Sequence, residues 1–274
     1  MHYRNAVRIP KVSQIADIYS ILGTKEPIDR NKGAMKVKNI LMTITVLSFL
    51  GDVQAQLDTA QLEFAMQNSN RPSADLERDQ NRKAPQVLEF LGLAEGMTAM
   101  DLIAIGGWYS EVLSYAVGNS GEVIMQNNPG RGVDNNIELI TDRLDRRSNI
   151  THHIGPVSEL PPNSVDFALT ALNFHDVYNR SADEAHDRFT QVLDVLKPGG
   201  IFGVIDHEGA VGADNSTLHR IAFAEAVKSI TSMGFALTGV SDLLDNPADD
   251  HTLGPFDPSL ERNTDRFVLR FIKL

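Results

Sequence analysis

Two histidine–aspartate pairs are the clearest candidates for chemistry in this sequence. His175 is followed by Asp176, and Asp206 is followed by His207, each pair lying just after an apolar run typical of a buried strand. An imidazole titrates near neutral pH, which suits a general base that takes a proton from an incoming nucleophile. The structural alternative is that each histidine caps a helix or pairs with its neighbouring aspartate. The residue types leave both interpretations open.

A glycine pair could form a ligand-binding turn. Gly106 and Gly107 end an apolar run that contains Asp101, and Trp108 and Tyr109 follow them. Glycines allow a tight turn from a strand into a helix and bring backbone N–H groups close to a ligand. Two adjacent glycines also occur in ordinary turns, so this signal is weak by itself.

Two groups of residues contain side chains that can bind metal ions. His175, Asp176 and His207 could supply nitrogen and oxygen ligands, but sequence spacing does not show that they converge, and no metal site is predicted. A later acidic cluster lacks the regular spacing of a calcium loop, and its Asn-Pro and aspartates are typical of turns and caps. That cluster consists of Asp242, Asp245, Asp249, Asp250 and His251.

Strand-like and helix-like segments alternate along the chain. Strands are predicted at 98–105, 121–125, 150–154, 165–172, 201–205, 235–240 and 266–272. Helices are predicted at 57–67, 75–92, 109–117, 134–146, 182–196 and 218–233. This order predicts an α/β fold: a doubly wound, mostly parallel seven-stranded sheet with an antiparallel C-terminal edge, binding ligands at the carboxyl ends of its strands.

The amino-acid composition excludes several kinds of site and argues against one kind of partner. The 274 residues carry a formal net charge of −11, are 42% hydrophobic and include no cysteine. The missing cysteines exclude disulfides, thiolate metal sites and cysteine nucleophiles. The acidic balance argues against nucleic acid as the main partner, because phosphate binding needs clustered Lys and Arg. Nucleic acid is therefore not the expected partner.

The first 55 residues differ from the rest in charge, with 8 Lys/Arg against 4 Asp/Glu. Residues 35–55 have the basic start, short apolar run and small-x-small end of a secretory signal peptide. We therefore expect translation to start at Met35, cleavage after Ala55, an upstream tail at 1–34 and a domain at 56–274. The expected location is periplasmic or secreted, without stable membrane insertion, or cytoplasmic if 35–55 is instead an unprocessed amphipathic helix.

Several segments resemble class I S-adenosylmethionine-dependent methyltransferases, and more narrowly a family of exported predicted methyltransferases. Residues 101–111 (DLIAIGGWYSE) resemble that family's first motif, Asp-x-Trp-Pro-Gly-Gly-Gly-Trp-Tyr-Thr-Glu. Residues 172–176 (LNFHD) resemble its Leu-Asn-Tyr-His-Asp, and residues 196–200 (LKPGG) and 246–251 (NPADDH) continue the likeness. It covers roughly residues 70–274 and implies a Rossmann-like methyltransferase fold.

The resemblance implies S-adenosylmethionine as cofactor and methyl transfer to a small acceptor. In the cofactor site it implies Gly106, Gly107 and Tyr109 around the methionine part, and Gln126 near the ribose. Asp101 and Asn173 complete this set, Asn173 near the methyl group. His175 is implied as the base, with Asp176 and His207 beside it.

The chain also departs from the pattern of the class. Ile103 and Ile105 stand where the first two glycines are usual, Gln126 replaces an acid, and Pro156 occupies the position of another. These departures keep open an alternative, a non-catalytic binding protein on a methyltransferase fold with a degenerate cofactor pocket. A dehydrogenase is excluded because the Gly-x-Gly-x-x-Gly pattern is absent.

Overall fold

The computed structural model describes residues 56–274. The expectations for the 1–34 tail and the 35–55 signal peptide lie outside these residues. The helices are α1 Thr59–Met66, α2 Ser73–Arg82, α3 Ala84–Leu91, α4 Trp108–Ala116, α5 Arg131–Asp134, α6 Ile137–Arg146, α7 Phe174–Arg180, α8 Ala182–Val195 and α9 Phe223–Ser232. The strands are β1 Thr98–Leu102, β2 Glu122–Asn127, β3 Ile150–Ile154, β4 Val165–Ala171, β5 Leu196–Gly209, β6 Ile221–Ala222, β7 Phe235–Ser241 and β8 Arg266–Lys273.

The main sheet has the order β3-β2-β1-β4-β5-β8-β7. Strands β1 to β5 pair in parallel, whereas β8 runs antiparallel to both β5 and β7. The predicted doubly wound sheet with an antiparallel C-terminal edge is therefore confirmed. The short β6 was not predicted; it pairs in parallel with the end of β5, which extends beyond the predicted 201–205.

Two apolar layers cover the sheet. One contains α1, α3 and α4 and includes Leu88 and Val112, while the other contains α7, α8 and α9 and includes Phe189 and Ile230. The strands alternate between them: in β1, Ala99 belongs to the first layer and Met100 to the second. Over residues 56–274, no helix is long and apolar enough to cross a membrane.

The structure corrects three predicted helix boundaries. The helix expected at 75–92 is two helices, because Lys83 takes a left-handed conformation (φ 44°) and Pro85 can only occupy a first turn. The segment expected at 134–146 is divided between α5 and α6. The helix expected at 218–233 begins at Phe223, because Ile221 and Ala222 pair with β5.

The late acidic cluster is structural, as predicted. Asp249 forms a bidentate ion pair with the buried Arg220, at 2.8 and 2.9 Å, and accepts a hydrogen bond from the Asp265 backbone. Asp250 accepts from the Thr252 backbone in a turn. The loop at 242–265 is thus tied to Arg220, whose Nη1 donates to the Glu208 carbonyl at the end of β5.

A buried ionic network joins the helices on one side of the cleft. Arg143 of α6 contacts Glu111 of α4 and Asp75 of α2 (2.6 Å to Asp75 Oδ2), and its Nε donates to the Gly106 carbonyl. Arg143 and Glu111 are almost fully inaccessible to solvent. Removing one partner from such a network leaves the others charged and desolvated.

We expect Arg143→Met to lower the free energy of unfolding by roughly 3–5 kcal/mol, the usual cost of breaking a buried ion pair. Arg180→Met removes an exposed pair with Glu184 and should cost less than about 0.5 kcal/mol. Urea unfolding of both variants measures the difference. Equal losses would show that the network contributes no more than a surface pair.

Candidate functional site

The larger cleft lies at the carboxyl ends of β1, β4 and β5 and has a volume of about 750 Å³. Eight of the nine site residues named from sequence line it: Asp101, Gly106, Gly107, Tyr109, Asn173, His175, Asp176 and His207. The strand ends thus bring together segments that are about 100 residues apart. The roles assigned to these residues stay predictions.

Gln126 lies instead beside a smaller cavity of about 440 Å³. Its walls include Asn128, Pro156 and Val157, after β2 and β3, and part of α8. Ile103 lines both cavities, so they adjoin at this residue. A ligand longer than either cavity could therefore lie across the end of β1.

The backbone after β1 is left-handed at both isoleucines, with φ of 54° at Ile103 and 53° at Ile105. Leu172, after β4, has φ of 62°. A left-handed conformation is a genuine outlier for a β-branched residue and costs roughly 1–2 kcal/mol at each L-residue. The chain therefore keeps the conformation that glycine would favour, although it carries isoleucine.

Three side-chain amides hold this backbone. Gln126 accepts from the Ile103 N–H (3.1 Å), and Asn127 accepts from the Ile105 N–H (2.7 Å). Asn173 donates to the carbonyl oxygens of Ile103 (3.3 Å) and Ala171 (2.8 Å). Gln126 also donates to Gly155, so its amide links two backbone segments.

The two glycines that follow are closely surrounded by side chains. A Cβ on Gly106 would stand 2.9 Å from Leu139 Cδ2 of α6. Gly107 has φ of 74°, and a Cβ there would collide with the end of the Met125 side chain. A side chain at either position would make these neighbours shift, and at Gly107 it would also have to adopt a left-handed backbone.

A buried carboxyl group and a guanidinium group both lie near this turn. Asp101 accepts a hydrogen bond from Ser110 Oγ (2.7 Å), and burial raises the pKa of its carboxyl to about 6. The guanidinium of Arg82 lies 4.3 Å from the Trp108 ring centre and 5.1 Å from that of Tyr109. Among residues 56–274, Arg82 forms no ion pair, although it lines the cleft. Arg82 was not among the site residues predicted from the sequence.

Both ring nitrogens of His175 contact carboxylates. Nδ1 lies 2.6 Å from Asp206 Oδ1, and Nε2 lies 3.2 Å from Asp176 Oδ1. Despite burial, Asp206 and Asp176 raise the pKa of His175 to about 10. His175 is therefore an imidazolium at neutral pH, so the geometry does not favour the expected role as general base.

The pKa of His207 is shifted in the opposite direction from that of His175. Its Nδ1 lies 2.6 Å from Thr264 Oγ1, and burial, together with His175, lowers its pKa well below the usual value. The tautomer that donates from Nδ1 to Thr264 leaves Nε2 as a proton acceptor. His207 lines the cleft 5.5 Å from the His175 ring, measured between ring centres.

No protein-family model matches the chain, and no curated protein matches its sequence. A SAM-dependent methyltransferase from Aquifex aeolicus has a similar structure (TM-score 0.55, 20% identity), over 79% of this chain and 99% of its own. The [4+2]-cyclase SpnF is also similar (TM-score 0.53, 18% identity), over 76% and 85%. The chain thus has the Rossmann-like fold of class I methyltransferases.

We expect Ile105→Gly to leave the protein about 1–2 kcal/mol more stable than Ile154→Gly does, because only the first change relieves a left-handed conformation. The two isoleucines are matched in exposure, at 42% and 48%, and Ile154 lies in β3. Chemical unfolding of both variants gives the comparison. Equal effects would mean that the Ile105 backbone is not strained.

Stability should depend on pH through Asp101. Its pKa is about 6 in the folded protein and ~3.9 in an unfolded chain, so the folded state holds the proton more tightly. The stability that this difference contributes at low pH is lost as pH rises from the unfolded pKa through the folded one. Relative to the parent, Asp101→Asn should therefore gain up to roughly 3 kcal/mol between pH 4 and 7.

Asp214→Asn is the control with the opposite sign. Hydrogen bonds from Thr217 lower the pKa of the exposed Asp214, so this variant should lose stability relative to the parent as pH rises. Unfolding series at several pH values measure both trends. A flat difference for Asp101→Asn would contradict the raised pKa.

Proposed function

We propose that this protein binds S-adenosylmethionine and transfers its methyl group to a small-molecule acceptor. The observation that carries the proposal is the clamped left-handed turn at Ile103 and Ile105, with a cavity on each side. Strained backbone persists where the surroundings impose it, and such positions cluster at ligand sites. The fold shared with the Aquifex aeolicus methyltransferase supports this cofactor rather than a dinucleotide.

The described residues fit the two ends of such a cofactor. Arg82, cationic and free of ion pairs within residues 56–274, can hold a carboxylate, and Asp101 nearby can accept from an ammonium group. The smaller cavity, between the ends of β2 and β3, can take the nucleoside. Asn128 supplies a polar group there, and Pro156 and Val157 an apolar wall.

S-adenosylmethionine supplies an electrophilic methyl group, so the chain has to orient the acceptor and remove its proton. His207 is the better base, because its Nε2 is not committed to a carboxylate as the nitrogens of His175 are. His175, held between Asp176 and Asp206, places positive charge beside the acceptor. This charge would favour an acceptor that ionises.

Calorimetry with S-adenosylmethionine and S-adenosylhomocysteine tests the binding step. Micromolar dissociation constants are expected, and Arg82→Met should weaken them about tenfold or more by removing the charge that holds the carboxylate. Arg131→Met is the control, because Arg131 is exposed and lies outside both cavities. Absence of binding by the parent protein at millimolar ligand would contradict the proposal.

The reaction itself needs a second measurement, because the similar SpnF is a cyclase and the fold alone does not select methyl transfer. Formation of S-adenosylhomocysteine is followed with a panel of small phenols, thiols and amines. His207→Gln should reduce turnover about a hundredfold while binding of the cofactor stays unchanged. Binding without turnover for every acceptor class would instead favour the non-catalytic alternative.

A further inference from the structure

Three potential ligand atoms converge beside the larger cleft. His175, Asp176 and His219 each offer one ligand atom, and these three atoms all lie within 4.8 Å of one another. The aspartate oxygen is 3.2 Å from the His175 nitrogen and 2.8 Å from the His219 nitrogen. Three ligands each about 2.1 Å from a tetrahedral metal ion would be separated by roughly 3.4 Å, so these side chains need to move little to coordinate one.

The surrounding contacts hold the cluster in place. The His175 Nδ1 and backbone N–H both bond to Asp206, at 2.6 and 2.7 Å, so Nε2 points towards Asp176. A carboxylate on the far nitrogen of a ligand imidazole is the usual support of a metal-bound histidine. His219 has a left-handed backbone (φ 51°), and its ring packs edge-on against Phe256 at 5.7 Å.

We propose that His175, Asp176 and His219 form a binding site for a divalent first-row transition metal ion such as Zn²⁺. Two imidazoles and one carboxylate are a donor set that such ions prefer, and three protein ligands leave a coordination position open. His175 and Asp176 line the larger cleft, so the open position faces it. Water or an oxygen atom of a small molecule in the cleft can occupy that position.

This inference goes beyond the proposed function and does not depend on it. A bound metal ion would displace the proton from His175 Nε2 and bring its own positive charge to the same place beside the cleft. It also differs from the ligand set considered from sequence, because His207 bonds to Thr264 and His219 takes its place. The competing explanation is an ion-pair network in which a proton on His175, rather than a metal ion, lies between the carboxylates of Asp176 and Asp206. The two explanations differ in what His219 contributes.

Zn²⁺ titration of the full chain, without a polyhistidine tag and after chelator treatment, tests the site in competition with a chromophoric chelator. One ion per chain is expected, with micromolar or tighter affinity. His219→Ala and Asp176→Asn should each weaken binding by about 10–100-fold. Both side chains are about half exposed, so the variants should fold, which circular dichroism checks.

His186→Ala is the matched control, since His186 is an exposed histidine of α8 outside the cluster, and it should leave Zn²⁺ affinity within about twofold. Co²⁺ should give the visible absorption of a four- or five-coordinate site in the parent and lose it in His219→Ala. Failure to bind Zn²⁺ at about 100 µM would overturn the proposal. Binding that His219→Ala leaves unchanged would overturn it equally.

Discussion

The guanidinium of Arg143 is the contact on which the cleft depends. It is buried among Asp75, Glu111 and the Gly106 carbonyl, and so joins α2, α4 and the turn after β1 to α6. Because its charge has no access to water, the network is stable only when all of these groups are in place. The position of α2, which carries Arg82 over the Trp108 ring, therefore follows from a residue nearly 70 positions later in the chain.

The turn after β1 has a backbone conformation that glycine favours, although it carries isoleucine. At Ile103 and Ile105 the left-handed backbone is held by hydrogen bonds with the side chains of Gln126, Asn127 and Asn173. Gln126 and Asn127 lie at the end of β2, where the class that the sequence resembles usually has an acidic residue. Their amides support the turn instead. Isoleucine in the turn and an amide at the end of β2 are therefore parts of the same arrangement.

The sequence predicted the sheet well, because apolar runs and their alternation with helices depend on local periodicity. It placed Asp101, His175 and His207 at adjoining strand ends, where the structure has them. It could not indicate that the Gln126 amide turns to the backbone or that both nitrogens of His175 meet carboxylates, since these depend on contacts between distant segments. His219 joined the cluster only through the path of the loop before β6.

The amide support also has a consequence for substitutions in this turn. An isoleucine at position 103 or 105 is tolerated where Gln126 and Asn127 already fix the peptide groups on either side. Without these two amides, no side-chain hydrogen bond from β2 would offset the free-energy cost of the left-handed conformation. The side chains at 126 and 127 are therefore coupled energetically to those at 103 and 105, because losing an amide costs more with isoleucine in the turn than it would with glycine there.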